Sequence, residues 1–107
     1  MNDEAVGGIG LDFKGDIYFR TAEIGYWLGE DYWGKGIMSE VVPLFVAWTW
    51  ETFGILVRLN AATYEKNAAS GKVLEKAGFK YEGRRPDMFC KNGVIGAELM
   101  WGALRPQ

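Results

Sequence analysis

The stretch from Glu23 to Glu40, EIGYWLGEDYWGKGIMSE, changes periodicity across a short loop that carries two glycines. Before the loop, Ile24, Tyr26 and Leu28 alternate with other residues, as in a strand with one face buried. After it, Ile37, Val41, Leu44, Phe45, Trp48 and Thr52 recur at spacings of three and four, which predicts a helix from Ile37 to Phe53 with these residues on one face. The loop itself contains Trp33-Gly34-Lys35-Gly36-Ile37. Gly34 and Gly36 let backbone N–H groups face a ligand without a Cβ in the way. The first helical turn adds unpaired N–H donors and the positive end of the helix dipole. Together these features suit a phosphate or pyrophosphate; the alternative is that the glycines only make a turn.

Outward from this segment the chain divides cleanly. Ala5 to Phe13 reads as a glycine-rich strand, followed by a turn at Lys14-Gly15-Asp16. Ile17 to Gly29 reads as a second strand, antiparallel to the first, whose alternation slips near Thr21-Ala22 and so predicts a bulge or an irregular start. Glu30 to Gly36 is the loop. Gly54 ends the long helix, and Pro43 within it predicts a bend. Ile55 to Tyr64 reads as a third strand. Asn67 is placed to cap a short helix, Ala68 to Ala77, closed by Gly78. Tyr81 to Cys90 and Val94 to Leu104 are the last two strands, joined by Lys91-Asn92-Gly93, and Asn-Gly is a strong hairpin signal. The order is β-β-α-β-α-β-β, an α/β (α+β) fold with a mixed sheet. The helix between the second and third strands implies a right-handed crossover and parallel pairing there.

Composition narrows the chemistry. With 107 residues the chain is one domain at most, or part of one, and with 49% hydrophobic residues it has the means to build a core. A net charge of −2 without a basic run gives no electrostatic reason to expect a nucleic-acid partner. There is no histidine, so His-based triads, general bases and metal ligands are excluded; the single cysteine, Cys90, excludes an internal disulfide and a Cys-rich metal site. No metal is expected. No run reaches the roughly 18 apolar residues of a membrane span, and no basic segment precedes an apolar one at the N-terminus. The expectation is a cytoplasmic protein without a membrane partner. Of the phosphate motifs, G-x-x-x-x-G-K-[ST] fails because Gly36 follows Lys35. The stretch Gly8 to Phe13 lacks the last glycine of a dinucleotide fingerprint.

Three segments, in order and at matching spacing, resemble the GNAT superfamily, in particular its branch of ribosomal-protein and other protein N-terminal acetyltransferases. They are EIGYWL from Glu23, YWGKGI-x-x-E from Tyr32, and N-x-x-S-x-x-V-L-E-K-x-G-F-x-x-E-G from Asn67. The resemblance spans about Ala5 to Leu104. It implies acetyl-CoA as the acetyl donor, with pantetheine lying as a pseudo-strand beside the backbone of Ile24, Gly25, Tyr26, Trp27 and Leu28. It also implies that Trp33, Gly34, Lys35, Gly36 and Ile37 present their N–H groups to the pyrophosphate. Asp31 stands where the family loop carries Gln or Arg, and Lys35 can offset that charge. Asn67 would reach the pantetheine arm, cap its helix, or do both, and Ser70 lies one turn further along the same face.

For catalysis the same resemblance is less complete. Acetyl transfer to an amine needs a neutral nucleophile, a polarised thioester carbonyl and a proton for the departing thiolate. Many relatives supply the proton from a tyrosine where this chain has Leu74. Ser70 or Tyr64 are the substitutes available here, or no acid is needed. Glu23 is the candidate base, acting through water, against the alternative of a solvated structural charge. The full family domain begins with a strand and two helices that precede this region and wall the acceptor site. The expectation is therefore a single GNAT-like domain over residues 1–107 without those elements, an exposed sheet flank, and a homo-oligomer, a dimer in the simplest case. Two functions follow as expectations: an acetyl-CoA-dependent N-acetyltransferase, or its cofactor-binding remnant, with a protein N-terminus, a small amine or an antibiotic as amine acceptor, or a non-catalytic GNAT-like module for CoA binding or assembly.

Overall fold

The computed structural model describes residues 7–107. Strands β1 (Gly7–Phe13) and β2 (Thr21–Leu28) precede helix α1 (Ile37–Thr52), strand β3 (Arg58–Tyr64) and helix α2 (Ala68–Lys76); strands β4 (Lys80–Lys91) and β5 (Val94–Leu104) follow. Short 3-10 turns at Asp16–Tyr18 and Glu30–Tyr32 flank β2. One five-stranded sheet has the order β1-β2-β3-β5-β4, with β2 and β3 parallel and every other neighbouring pair antiparallel. This is the mixed α/β arrangement and element order expected from the sequence. Ala5 and Val6 of the expected first strand lie outside the described residues.

Both helices pack on one face of the sheet. Ala22 and Ile24 of β2, Leu59 and Ala61 of β3, and Trp101 and Ala103 of β5 point to that face, where they meet Val42 and Val46 of α1 and Leu74 of α2. Alternate residues, including Glu23, Gly25, Asn60 and Ala62, face the other way. Helix α2 presses close to β5: a Cβ on Gly71 would come within 2.9 Å of the Trp101 ring. The buried Trp101 indole donates to Thr63 Oγ1 at 3.0 Å, so neither polar group is left unpaired in the core.

Three sequence expectations shift. Strand β2 begins at Thr21, not Ile17, because Asp16–Tyr18 forms a 3-10 turn; the slip in alternation marked an irregular start rather than a bulge. Strand β3 begins at Arg58, not Ile55; a turn from Leu56 N–H to the Phe53 carbonyl buries the Leu56 side chain beforehand. The buried face of α1 is Val42, Val46 and Thr49, whereas Leu44 is 72% exposed and Trp48 48% exposed. Helix α1 is apolar nearly all round, so periodicity alone does not select the stripe. The sheet receives the branched, compact side chains, and the Thr49 hydroxyl is satisfied by the Phe45 carbonyl at 2.8 Å. The helix continues through Pro43, which withholds one N–H from the preceding turn.

Two sequence signals act as read. Asn92 (φ 52°) and Gly93 (φ 76°) take consecutive left-handed conformations, the geometry of a tight hairpin turn. Gly78 (φ 97°) stops α2. Among the described residues, no helix is long and apolar enough to cross a membrane.

Candidate functional site

The parallel ladder between β2 and β3 is short. Thr21 pairs with Arg58, Ala22 with Leu59 and Glu23 with Asn60, and there the pairing stops. Strand β2 runs on to Leu28 and β3 to Tyr64, each still held on its outer edge. Strand β1 stays paired with β2 as far as Leu28, and β5 stays paired with β3 as far as Tyr64. The result is a split with two firm banks and a vertex at Glu23 and Asn60. The inner edge of Ile24–Leu28 is left with backbone groups that a ligand can pair, as an added strand would.

The loop at the open end of β2 prepares the second part of the site. The Trp33 N–H donates to the Glu30 carbonyl at 3.1 Å, and its indole donates to the Leu28 carbonyl at 2.7 Å. Trp33 therefore fastens the loop to β2, and its N–H is already engaged. Gly34 (φ 76°) and Gly36 (φ 71°) take left-handed conformations, and Gly36 is the N-cap of α1. Among the described residues, no side chain caps that helix. Among the described residues, the N–H groups of Gly34, Lys35, Gly36 and Ile37 have no acceptor in any turn or loop. A Cβ on either glycine would meet nothing within 4 Å, so the space over them is open. Unpaired donors at the start of a 16-residue helix fit an anion. The Lys35 ammonium lies 5.6 Å from the Tyr32 ring centroid.

Across the split, α2 is tied to β2. The Tyr26 hydroxyl and Ser70 Oγ are 2.7 Å apart, and the same hydroxyl reaches the Ser70 carbonyl at 3.3 Å. Burial pushes the Tyr26 phenol above its ordinary pKa, against a smaller opposing effect of the Ser70 hydrogen bond. Asn67 Oδ1 accepts the Ser70 N–H at 3.2 Å, the cap expected at that position, and this leaves its amide NH2 group to donate elsewhere.

The three catalytic candidates are not gathered into one cluster. Glu23 sits at the vertex on the open face, its side chain 40% exposed and its Oε2 3.8 Å from Lys14 Nζ. Tyr64 lies on the same face at the far end of β3, its ring 4.5 Å from Phe89 with Lys91 above it. Ser70 is on the helical side with Tyr26. Among the described residues, no hydrogen bond joins any two of the three. Leu74, at the position of the family tyrosine, is 0% exposed in the core. Ile24 is core, and the Trp27 indole lies over Gly8, where a Cβ would come within 2.6 Å of its Nε1.

Three participants escaped the sequence reading. The Tyr26 side chain is one, since that segment was read only for its backbone. Asn60 is another: it faces Glu23 across the ladder and takes a 2.6 Å hydrogen bond from Arg58. Lys14 is the third. Residue spacing does not signal pairs so far apart, although the parallel pairing would have placed the start of β3 beside Glu23.

Comparison with known proteins bears on the family and the fold. Residues 1–80 match the family model described as "Acetyltransferase (GNAT) domain". The chain is 45% identical over 87 residues to "Probable N-acetyltransferase YjcK" of Bacillus subtilis, covering 81% of this chain and 48% of that protein. It is 31% identical over 104 residues to "Uncharacterized N-acetyltransferase YoaA" of the same organism, covering 97% of this chain and 58% of the relative. The chain thus spans about half the length of these relatives. Among solved structures, the ribosomal-protein-S5-alanine acetyltransferase of Vibrio fischeri superposes with a TM-score of 0.83 at 27% identity. That match covers 95% of this chain and 55% of the other. The Salmonella typhimurium protein yncA, solved with its cofactor acetyl-CoA, shares the fold at a TM-score of 0.83 and 17% identity, covering 95% and 59%.

Proposed function

The chain belongs to the GNAT acetyltransferase family, and from that premise we propose that it binds acetyl-CoA in the split between β2 and β3 and transfers the acetyl group to an amine. One observation carries the reading. The two central parallel strands separate after Glu23 and Asn60, and beyond the end of β2 lie the N–H groups from Gly34 to Ile37, which have no backbone acceptor among the described residues. The span from Leu28 back to Ile24 is four strand steps, roughly 13 Å. A pantetheine arm laid along this edge would have its pyrophosphate at the loop and its thioester near the vertex.

Acetyl-CoA supplies an acyl group activated as a thioester, with a thiolate as leaving group. The chain's own residues would do the rest. Gly34, Lys35, Gly36 and Ile37 bind the pyrophosphate through N–H groups and the helix dipole. Ile24–Leu28 align the arm by backbone hydrogen bonds, with Asn67 donating from the opposite bank. Glu23 takes the proton of the incoming amine, directly or through water. Ser70, hydrogen-bonded to Tyr26, is placed on the helical side to hold a proton for the thiolate, and Tyr64 is less suited because its ring is packed against the β4–β5 hairpin.

The acceptor is proposed only as an amine; a protein N-terminus is one member of that class, and the likeness to the Vibrio fischeri enzyme supports it. Leu74 favours a second reading, a CoA-binding module without turnover, because a buried leucine donates no proton. Release of free thiol from acetyl-CoA in the presence of amine acceptors separates the two. Turnover that falls about 100-fold or more in Glu23→Gln supports catalysis with Glu23 as base. Binding without thiol release from any acceptor supports the module.

A further inference from the structure

Lys14 leaves the end of β1 and reaches back over the open face of the sheet to the vertex of the split. Its Nζ lies 2.8 Å from Asp12 Oδ2 and 3.8 Å from Glu23 Oε2. Asp12 and Glu23 are cross-strand partners, and both line a shallow depression with Gly10, Gly25 and Ala62. A Cβ on Gly10 or Gly25 would meet nothing within 4 Å, so the space above the strands beside Lys14 is open to a small acyl group. A primary amine of the chain is thus held beside the carboxylate read above as the general base. Two other lysines, Lys35 and Lys91, lie over the Tyr32 and Tyr64 rings instead.

We propose that Lys14 is a modification site of the chain itself, an internal acceptor that takes the acetyl group from bound acetyl-CoA onto Nζ. The inference rests on the placement of acetyl-CoA under Proposed function. The ammonium first passes a proton to Glu23, and the freed lone pair forms a bond to the acetyl carbonyl carbon. The C–S bond breaks, and the sulfur leaves with the bonding electrons. The remaining excess proton on nitrogen is lost as the sulfur is protonated. The balance is an ammonium and a thioester converted to an acetamide, a free thiol and one proton released through Glu23. The hydrogen bond to Asp12 holds Lys14 above the ordinary lysine pKa, with desolvation opposing it, so the amine needs a base in reach. Acetylation would remove the ammonium and leave Asp12 and Glu23 without their counter-ion, free for a cationic acceptor.

The test is peptide-resolved mass spectrometry of the full chain after incubation with acetyl-CoA and, separately, with acetyl phosphate. Calorimetric titration of acetyl-CoA is run on the same sample. The expected result is acetylation of Lys14 at least about tenfold faster than of Lys35 or Lys91 with acetyl-CoA, as proximity dictates, and no such preference with acetyl phosphate. Lys14→Arg should remove that fast mass increment. Acetyl-CoA binding with Lys14 labelled no faster than the other lysines overturns this inference and leaves the proposed function standing. An equal preference with acetyl phosphate also overturns it, because intrinsic reactivity would then suffice. Failure to bind acetyl-CoA overturns both.

Discussion

The two edges of β3 behave differently. Toward β5 it is paired at every residue from Arg58 to Tyr64; toward β2 it is paired only at Arg58, Leu59 and Asn60. Both edges belong to one strand with one sequence, so the difference lies in the neighbours. Strand β5 returns antiparallel beside β3, and its Trp101 locks onto Thr63 and Gly71. Strand β2 is parallel, a pairing slightly weaker per residue, and its far end is held instead by β1 and by the Trp33 indole. The closed edge therefore carries stability, and the open edge keeps backbone groups available for a ligand.

The largest expected effect is on the closed part. Leu59→Ala removes a fully buried side chain beside the last shared pairs and should cost about 2–5 kcal/mol in denaturant unfolding. Acetyl-CoA affinity per folded molecule should change little. A variant that loses affinity in proportion to stability would erase the distinction between the two edges. Asn67→Ala lies on the open side and should cost about 1 kcal/mol through loss of its cap. It should also weaken acetyl-CoA binding several-fold. Loss of stability alone would confine Asn67 to capping.

The smallest effect sharpens the picture at the Tyr26–Ser70 tie. Tyr26→Phe should cost about 0.5–1.5 kcal/mol near neutral pH, the ordinary worth of one hydrogen bond. Burial holds the folded phenol protonated beyond the pH at which the unfolded tyrosine ionises, about 10. The folded state then binds more protons than the unfolded one, so stability falls as pH rises above that value. The stability advantage of the unmodified chain over Tyr26→Phe should therefore shrink above about pH 10. Parallel pH–stability curves for the two proteins would contradict a buried, proton-retaining Tyr26.

The features legible in the sequence were those with local causes. Asn67 capping α2, Asn92-Gly93 turning the last hairpin and the glycines before α1 each act within a few residues. The family motifs extended this reach, because they placed the split and the loop in one order. What was not legible depends on packing between distant segments. The stripe of α1 that faces the sheet was misread because Leu44 and Trp48 are as apolar as Val42 and Val46, and only the sheet decides between them. Tyr26 and Ser70 lie 44 residues apart, and Asn60 meets Glu23 only through the parallel ladder. Trp33 read as a phosphate-loop residue, yet its N–H closes the turn on the Glu30 carbonyl and its indole holds the loop to β2 at the Leu28 carbonyl.

The central claim is that acetyl-CoA enters the open edge with its pyrophosphate at Gly34 to Ile37. Isothermal calorimetry of the unmodified chain beside Gly34→Val and Gly36→Val, with circular dichroism to confirm retained helix content, tests it directly. Binding in the unmodified chain that is weakened at least about tenfold in both variants is the predicted result, since a branched Cβ at a left-handed position distorts the loop and fills its open space. Equal affinity in all three proteins would place the pyrophosphate elsewhere and contradict the claim.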